Sequence, residues 1–266
     1  MTPVEITRGD GPVVLGMPHT GTHIPEEIFA KLTPVGKTLA DTDWHIDRLY
    51  RGLLGSATIV RATFHRYVID ANRPPSGESL YPGQNTTGLV PLTDFDGESI
   101  WDTKPTSEEI ASRRQDFHAP YHSALAGELE RVCAGHGIAV LYDCHSIRSR
   151  IPFLFEGTLP DFNIGTNAGQ SCAPEMEAAV NGICTAADGY TSVVNGRFKG
   201  GWTTRHYGRP AEGIHAIQME LAQGTHLTSE TPPFAFDPGK AERLRPHLRA
   251  VLETLETIAL SLRGST

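Results

Sequence analysis

The sequence lacks the features of a membrane or secreted protein. No window approaches the roughly 18 consecutive apolar residues that a membrane span needs, and residues 1–10 show no basic segment followed by an apolar one. The four cysteines are scattered without CxxC spacing, which argues against a disulfide framework and against a structural zinc knot. We therefore expect a cytoplasmic protein with free thiols.

Positive charge is also scarce. The chain has 23 Lys and Arg against 31 Asp and Glu, which gives a net charge of −8. Nucleic acids and anionic membranes attract proteins through an extended cationic surface, so we expect neither as a partner. We expect instead a small-molecule substrate, bound by a monomer or a small homo-oligomer.

Several catalytic motifs are missing, namely the Gly-x-Ser-x-Gly elbow, the phosphate-binding loop, GxGxxG and HExxH. Their absence removes support for a serine hydrolase, a nucleotide-binding protein and an HExxH metalloprotease. Histidine, by contrast, is abundant, with 12 residues against 4 Met and 3 Trp. This surplus directs attention to a site that uses imidazole groups.

Three short apolar runs predict buried β-strands. They cover residues 12–17, 137–142 and 214–219, and each leads directly to a potential catalytic group. The segments 71–104, 146–170 and 195–213 show no sustained period, so we interpret them as long functional loops.

Helical patterns alternate with the strands. One opens at a capping box, Thr106 with Glu109, and runs to about residue 134, where Gly135 can end it; another begins near Lys240. This alternation predicts an α/β fold, a three-layer α/β/α sandwich with a mostly parallel, mixed sheet. At 266 residues, the whole chain fits a single domain, 1–266.

Each predicted strand ends near a polar side chain: His19, His145 or Glu220. The carboxyl ends of parallel strands meet at one edge of a sheet, so these groups should lie close together. Either histidine alone would also suit a purely structural role, but two of them at one edge suggest metal ligands. A carboxylate at the end of an apolar strand is costly unless it is paired or functional, which makes Glu220 a candidate general base.

The segment 41–47 supplies candidate carboxylate ligands. Asp41, Asp43 and Asp47 lie there beside His45, at the start of a helical pattern. Aspartate at a helix start can simply stabilise the helix. Two histidines and one carboxylate nevertheless form a common catalytic zinc set, and the residues alone leave open which aspartate belongs to it.

Arginines cluster in or beside the predicted loops. A guanidinium binds a carboxylate through two parallel hydrogen bonds, so arginines near a metal would suit a small anionic substrate. Such side chains are Arg66, Arg73, Arg148, Arg150, Arg197 and Arg205.

Over nearly its whole length the chain resembles the N-formylglutamate deformylases, or N-formylglutamate amidohydrolases, of bacterial histidine degradation. That family is in turn similar to the zinc carboxypeptidases, so the resemblance implies a zinc-carboxypeptidase-like fold. The segments that carry the resemblance occur in one order along the chain: 17–21, 41–46, 66–74, 143–148, 159–166, 195–201, 205–208 and 218–223.

The resemblance implies a divalent metal ion, zinc, held by two histidines and one carboxylate. His19 and His145 match the histidines, and Asp43 is our choice for the carboxylate, with Asp41 second. The carboxypeptidase His-x-x-Glu motif is absent, because Thr22 stands three residues after His19.

The resemblance also assigns roles around the metal. Asn72 and Arg73 match the pair that binds the substrate carboxylate, and Glu220 matches the glutamate that activates water. Arg66 is assigned as the catalytic arginine for the tetrahedral oxyanion. Three further arginines are assigned to substrate binding: Arg148, Arg197 and Arg205.

The function implied is metal-dependent hydrolysis of N-formyl-L-glutamate to formate and L-glutamate. One alternative is an amidohydrolase for another N-acyl amino acid or a peptide-like amide. A second alternative, from another class, is a catalytically silent protein that binds a metal or a carboxylate.

Overall fold

The computed structural model describes residues 2–78 and 87–262. Within them the chain forms a sheet with these strands: β1 Val4–Thr7, β2 Val13–Met17, β3 Thr58–Ala62, β4 Ala139–Ile147, β5 Phe162–Gly165, β6 Ser192–Val194 and β7 Ile214–Ala222. The α-helices are α1 Glu26–Phe29, α2 Ile46–Tyr50, α3 Ser107–Arg113, α4 Ala119–His136, α5 Pro174–Thr185, α6 Trp202–Tyr207 and α7 Pro238–Leu262. None of the described helices is long and apolar enough to cross a membrane.

The strand order in the sheet is β1-β3-β2-β4-β7-β5-β6. The three predicted strands, β2, β4 and β7, are neighbours and pair in parallel, which confirms that their carboxyl ends share one edge. β3 also lies parallel to β2, whereas β1 and β5 each pair antiparallel with a neighbour. The predicted mostly parallel, mixed sheet is therefore confirmed.

Helices cover both faces of the sheet. On one face, α2, α5 and α7 pack against the apolar side chains of β2, β4 and β7. On the other face, apolar side chains of α4 pack against the same strands and form a second apolar cluster. This arrangement confirms the predicted three-layer α/β/α sandwich.

The face covered by α4 changes character along the strands. In β4, buried Leu141 is followed on that face by Asp143 and His145, and in β7 Ala216 precedes Glu220 on it. The face therefore begins apolar and becomes polar towards the carboxyl ends, where the polar groups of the two strands lie side by side.

The capping box predicted at the start of α3 is confirmed. The Thr106 hydroxyl accepts a hydrogen bond from the Glu109 amide, and the Glu109 carboxylate accepts one from the Thr106 amide. The helix continues through a π-helical turn, Arg114–His118, into α4. The predicted end at Gly135 is wrong by two residues, because the left-handed conformation that terminates the helix occurs at Gly137, with φ 74°.

Two of the three predicted loops contain regular structure. The segment 146–170 includes β5, which pairs with β7, and the segment 195–213 includes α6. The prediction of uninterrupted loops is wrong there, since four- and six-residue elements are too short to show a period in the sequence. In the segment 71–104, the described residues form no helix or strand, and residues 79–86 lie outside the description.

Candidate metal centre and active-site pocket

His19, Asp43 and His145 meet at the carboxyl edge of the sheet. His19 follows β2 by two residues, whereas His145 lies inside β4, which continues two residues further than it. The Nδ1 atoms of the two histidines are 3.2 Å apart, and Asp43 Oδ2 lies 3.1 Å from Nδ1 of His145 and 3.7 Å from that of His19. All three side chains are buried, and one potential ligand atom of each lies within 4.8 Å of the others.

The second ring nitrogen of each histidine contacts a buried carboxylate. His19 Nε2 lies 2.7 Å from Asp70 Oδ1, and His145 Nε2 lies 3.1 Å from Asp143 Oδ2. Partners of this kind fix the ring orientation and leave the Nδ1 atoms directed at Asp43. The Asn72 amide also approaches His145, with Nδ2 3.2 Å from Nε2.

The electrostatics of the cluster favour positive charge at its centre. Burial alone would raise the pKa of Asp43, but the Arg66 guanidinium and the two histidines lower it well below its usual range. Burial alone would lower the pKa of His145, but Asp143 and Asp43 raise it well above its ordinary value. The Asp43 carboxylate therefore stays ionised and favours positive charge beside it.

Asp43 is placed by its own backbone and by Arg66. Its amide donates to the His19 carbonyl at 3.1 Å, which brings the segment 41–47 against the end of β2. Arg66 Nη2 donates to Asp43 Oδ1 at 3.2 Å and also contacts His19 Nδ1. The guanidinium lies over the Phe95 ring, 5.0 Å from its centre, so an apolar side chain covers its outer face.

The other two aspartates of the segment face elsewhere. Asp41 Oδ2 accepts hydrogen bonds from the Tyr67 hydroxyl at 2.9 Å and the Phe95 amide at 3.0 Å, and burial raises its pKa to about 7. Asp47 lies 3.8 Å from Arg51 on the surface of α2. The structure thus brings Asp43, and not Asp41 or Asp47, to the histidines.

Glu220 lies beside this cluster, with its Cα in register with that of His145. Its Oε2 accepts a hydrogen bond from Gln218 Nε2 at 3.2 Å, and Gln218 Oε1 in turn accepts one from the Gly201 amide at 2.7 Å. Burial raises the pKa of Glu220 to about 8. A carboxyl group of this kind, close to neutrality, can take up and release a proton near neutral pH.

A single pocket joins these groups to the surface. His19, His145 and Glu220 line it together with Arg66, Arg73 and Arg197, and its apolar wall consists of Phe95, Ile147, Leu154 and Phe198. Arg148 and Arg205 are not among the described residues that line it. Arg148 instead forms an ion pair with Asp96 at 2.8 Å, and Arg205 Nε donates to the Gly200 carbonyl at 2.9 Å.

Asn72 and Arg73 line the pocket as well, and both side chains are held. Asn72 Oδ1 accepts a hydrogen bond from the Thr203 amide at 2.9 Å. Arg73 donates twice to Thr87, from Nε to the carbonyl at 2.8 Å and from Nη2 to the hydroxyl at 3.0 Å. A Cβ on Gly201 would lie 2.3 Å from the Asn72 amide, so this close approach requires glycine.

Asp70 and Gln218 are polar residues of the site that the sequence-based assignments do not include. Asp70 is fully buried within the apolar stretch 67–71, and a carboxylate in such a stretch is itself a signal of a functional or paired group. Gln218 is a buried amide in the apolar run 214–219, and a buried polar group in such a run is a similar signal.

Two histidines and one carboxylate at the edge of an α/β sandwich, with a buried glutamate nearby, are the arrangement that metal-dependent hydrolases use. The family model described as N-formylglutamate amidohydrolase matches residues 11–227. The chain belongs to this family, as its sequence pattern predicts.

Individual relatives agree with this assignment. The chain is 47% identical over 256 residues to the N-formylglutamate deformylase of Pseudomonas aeruginosa, with 95% of both chains covered. It is 44% identical over 253 residues to the protein of the same name from Pseudomonas putida, with 93% of both covered.

Solved structures confirm the fold. The N-formylglutamate amidohydrolase of Ralstonia eutropha superposes with a TM-score of 0.80 at 26% identity, and 100% of both chains is covered. A gene product of Agrobacterium tumefaciens superposes with a TM-score of 0.74 at 18% identity, over 97% of this chain and 96% of the other.

Proposed function

We propose that the protein hydrolyses N-formyl-L-glutamate to formate and L-glutamate, with zinc held by His19, Asp43 and His145. The observation that carries the proposal is the buried cluster of His19, Asp43 and His145, whose two histidines line a pocket together with Glu220 and several arginines. The names of the two Pseudomonas relatives support the choice of substrate.

The three side chains suit a divalent cation. Two imidazole nitrogens and a carboxylate oxygen converge within 3.1 to 3.7 Å of one another, and in the neutral histidine tautomers that carry the proton on Nε2 all three can be ligands of one cation. Nitrogen and oxygen donors in a set of three are typical of catalytic zinc, which leaves a further position open. When bound there, the cation would polarise the formyl carbonyl and activate water.

Glu220 is the general base of the proposed reaction. Its carboxylate takes a proton from the attacking water while the water oxygen forms a bond to the formyl carbon. The same carboxyl group then gives the proton to the amide nitrogen as the carbon–nitrogen bond breaks. Formate and the free amino group of L-glutamate result, and Glu220 returns to its starting state.

Arginines provide the positive charge that the intermediate and the substrate require. Arg66 contacts both His19 and Asp43, and in the proposed reaction it stabilises the oxyanion that forms on the formyl oxygen. Asn72, Arg73 and Arg197 bind the carboxylates of the substrate, since guanidinium and amide groups supply directed donors for them. Arg148 and Arg205 remain predicted substrate-binding residues, although neither is among the described residues that line the pocket.

The proposal also covers the cellular location, the pathway and the assembly of the protein. The chain acts as a single-domain cytoplasmic enzyme of histidine degradation on a small molecule, without nucleic acid or membrane. Its assembly is a monomer or a small homo-oligomer.

Formate release tests the proposal directly. The purified protein with stoichiometric zinc should release formate from N-formyl-L-glutamate, much more slowly from N-formyl-L-aspartate, and should release little acetate from N-acetyl-L-glutamate. Removal of the metal with a chelator should abolish turnover, and zinc should restore it. Full activity in a demonstrably metal-free preparation would contradict the proposed metal, and equal turnover of all three amides would contradict the proposed specificity.

A further inference from the structure

The backbone carbonyls on both sides of Asn72 accept hydrogen bonds from two histidines of one helix. His122 Nε2 lies 2.8 Å from the Ala71 carbonyl, and His118 Nε2 lies 2.9 Å from the Arg73 carbonyl. His118 ends the π-helical turn before α4, and His122 lies four residues further, so both face the same segment. A carbonyl can only accept, so each Nε2 carries the proton.

We infer that His118 and His122 are positioning residues that hold Asn72 and Arg73 in the orientation that receives the substrate carboxylate. The inference rests on the proposed function, because it concerns the substrate-binding part of the same pocket. Neither histidine lines that pocket among the described residues, and neither belongs to the metal cluster.

The chemistry of the two imidazoles suits this role. Both are buried, and burial lowers the pKa of each, to about 3 for His122. A neutral imidazole has one N–H group, and each histidine commits that group to a carbonyl beside Asn72. The Tyr207 hydroxyl lies 3.0 Å from the other nitrogen of His122 and 3.2 Å from the His122 carbonyl, so it contacts the residue from the side opposite Ala71.

The position of His122 connects the backbone of Asn72 to its side chain. The Trp202 ring packs against His122 edge to face, with centres 4.6 Å apart, and the next residue, Thr203, donates its amide to Asn72 Oδ1. The His122 imidazole therefore donates to the Ala71 carbonyl and also packs against Trp202, the residue before the Thr203 amide that binds the Asn72 side chain. Asn72 is constrained from two directions, and its Nδ2 stays directed at His145.

His118 has the corresponding effect on Arg73. The Arg73 carbonyl is held by His118, and its guanidinium is held by Thr87. With both ends fixed, little rotamer freedom remains to be lost when a carboxylate binds, which favours affinity. A misplacement of about 1 Å in such a group can cost as much as roughly 100-fold in rate or affinity.

The test replaces each histidine by Leu, Asn and Gln in the zinc-loaded enzyme. The Gln amide reaches the position of Nε2 and keeps the donor, whereas Asn is too short and Leu has none. We expect the KM for N-formyl-L-glutamate to rise roughly tenfold in H118L, H118N, H122L and H122N. H118Q and H122Q should recover most of the loss, and zinc content and kcat should change little.

His136→Leu is the matched control, because it makes the same change at the end of α4, away from Asn72, and its KM should equal that of the wild type. If a Leu variant does not fold, the Asn and Gln pair still measures the effect of the donor. An unchanged KM in an active enzyme, with only the melting temperature lowered, would overturn the inference and leave the proposed function intact. The same KM in the Gln and Asn variants would also overturn it. A wild-type enzyme that releases no formate would overturn both.

Discussion

His19 and His145 direct their Nδ1 atoms at one another, 3.2 Å apart, and each directs its Nε2 at a different buried aspartate. The two histidines therefore have the same arrangement of contacts, although His19 lies in a loop and His145 in a strand. Because each Nε2 atom contacts a carboxylate, the rings of both histidines are oriented with Nδ1 towards Asp43.

We predict that Asp70→Asn and Asp143→Asn each weaken zinc binding by about 10- to 100-fold, because the amide keeps the shape of the carboxylate but not its charge. Competition with a chromogenic chelator measures the affinity. Zinc affinity equal to that of the wild type in both variants would show that the two aspartates do not tune the ligands.

Asp43 and Asp41 should respond differently to removal. Asp43→Ala should lose zinc, because its Oδ2 faces both histidines. Asp41→Ala should keep zinc and lower the melting temperature, since it leaves the Tyr67 hydroxyl and the Phe95 amide without their acceptor. Metal analysis and thermal unfolding of the two variants, with Asp47→Ala as the surface control, distinguish them. Stoichiometric zinc in Asp43→Ala would place the third ligand elsewhere.

The central part of the site follows from the sequence because a general rule relates strand ends in space. Residues 12–17, 137–142 and 214–219 are apolar runs of strand length, and the carboxyl ends of neighbouring parallel strands lie at one edge. His19, His145 and Glu220 could thus be grouped although they are far apart in the chain. The choice of Asp43 depended on a family resemblance, since helix stabilisation explains all three aspartates equally well.

No comparable rule predicts the positions of the other site residues from the sequence. Residues 64–72 are all buried but form neither helix nor extended strand, so their side chains follow no period from which Asp70 could be placed. β5 has four residues, too few for alternation to be recognised. Which arginines face the pocket depends on the paths of long loops, and without the family resemblance no pattern in the sequence distinguishes Arg73 from Arg148.

Glu220→Gln separates proton transfer from metal binding. The amide keeps the volume and the contact with Gln218 but cannot accept a proton from water, so kcat should fall by at least about 100-fold while KM and zinc content change little. Steady-state kinetics and metal analysis on one preparation provide both values. Near-normal kcat would refute the role of general base, and loss of zinc would identify Glu220 as a ligand.

Arg73 should matter more to substrate binding than Arg148. Arg73→Ala should raise the KM for N-formyl-L-glutamate by roughly 10- to 100-fold, since a charge-assisted pair is lost, and Arg73→Lys should restore little because lysine lacks the planar fork. Arg148→Ala should have a small effect, because its guanidinium is paired with Asp96. If the two alanine variants have the same KM, the pocket lining does not determine substrate binding.

Acid should destabilise the folded protein below about pH 6.5. Burial lowers the pKa of His226 from 6.5 to about 4, so this side chain stabilises the fold fully above pH 6.5 and loses that contribution as the pH falls towards 4. His226→Gln keeps a donor for the Trp44 carbonyl without the titration. The slope of unfolding free energy against pH, measured from pH 6.5 to 4, should be smaller in the variant, by at most about 1.4 kcal/mol per pH unit. Equal slopes would contradict the assignment.

The pairing register of β4 and β7 has a consequence for folding fidelity. A slip of one residue would rotate Gln218 and Glu220 into the apolar layer that Met219 and Leu221 occupy, and would bury polar groups there without partners. Gln218 and Glu220 therefore also disfavour the wrong register of β4 and β7. A chain with mispaired strands would lose both its active site and part of its folding stability. Selection for turnover in this enzyme would then also protect it against strand slippage and the aggregation that follows from it.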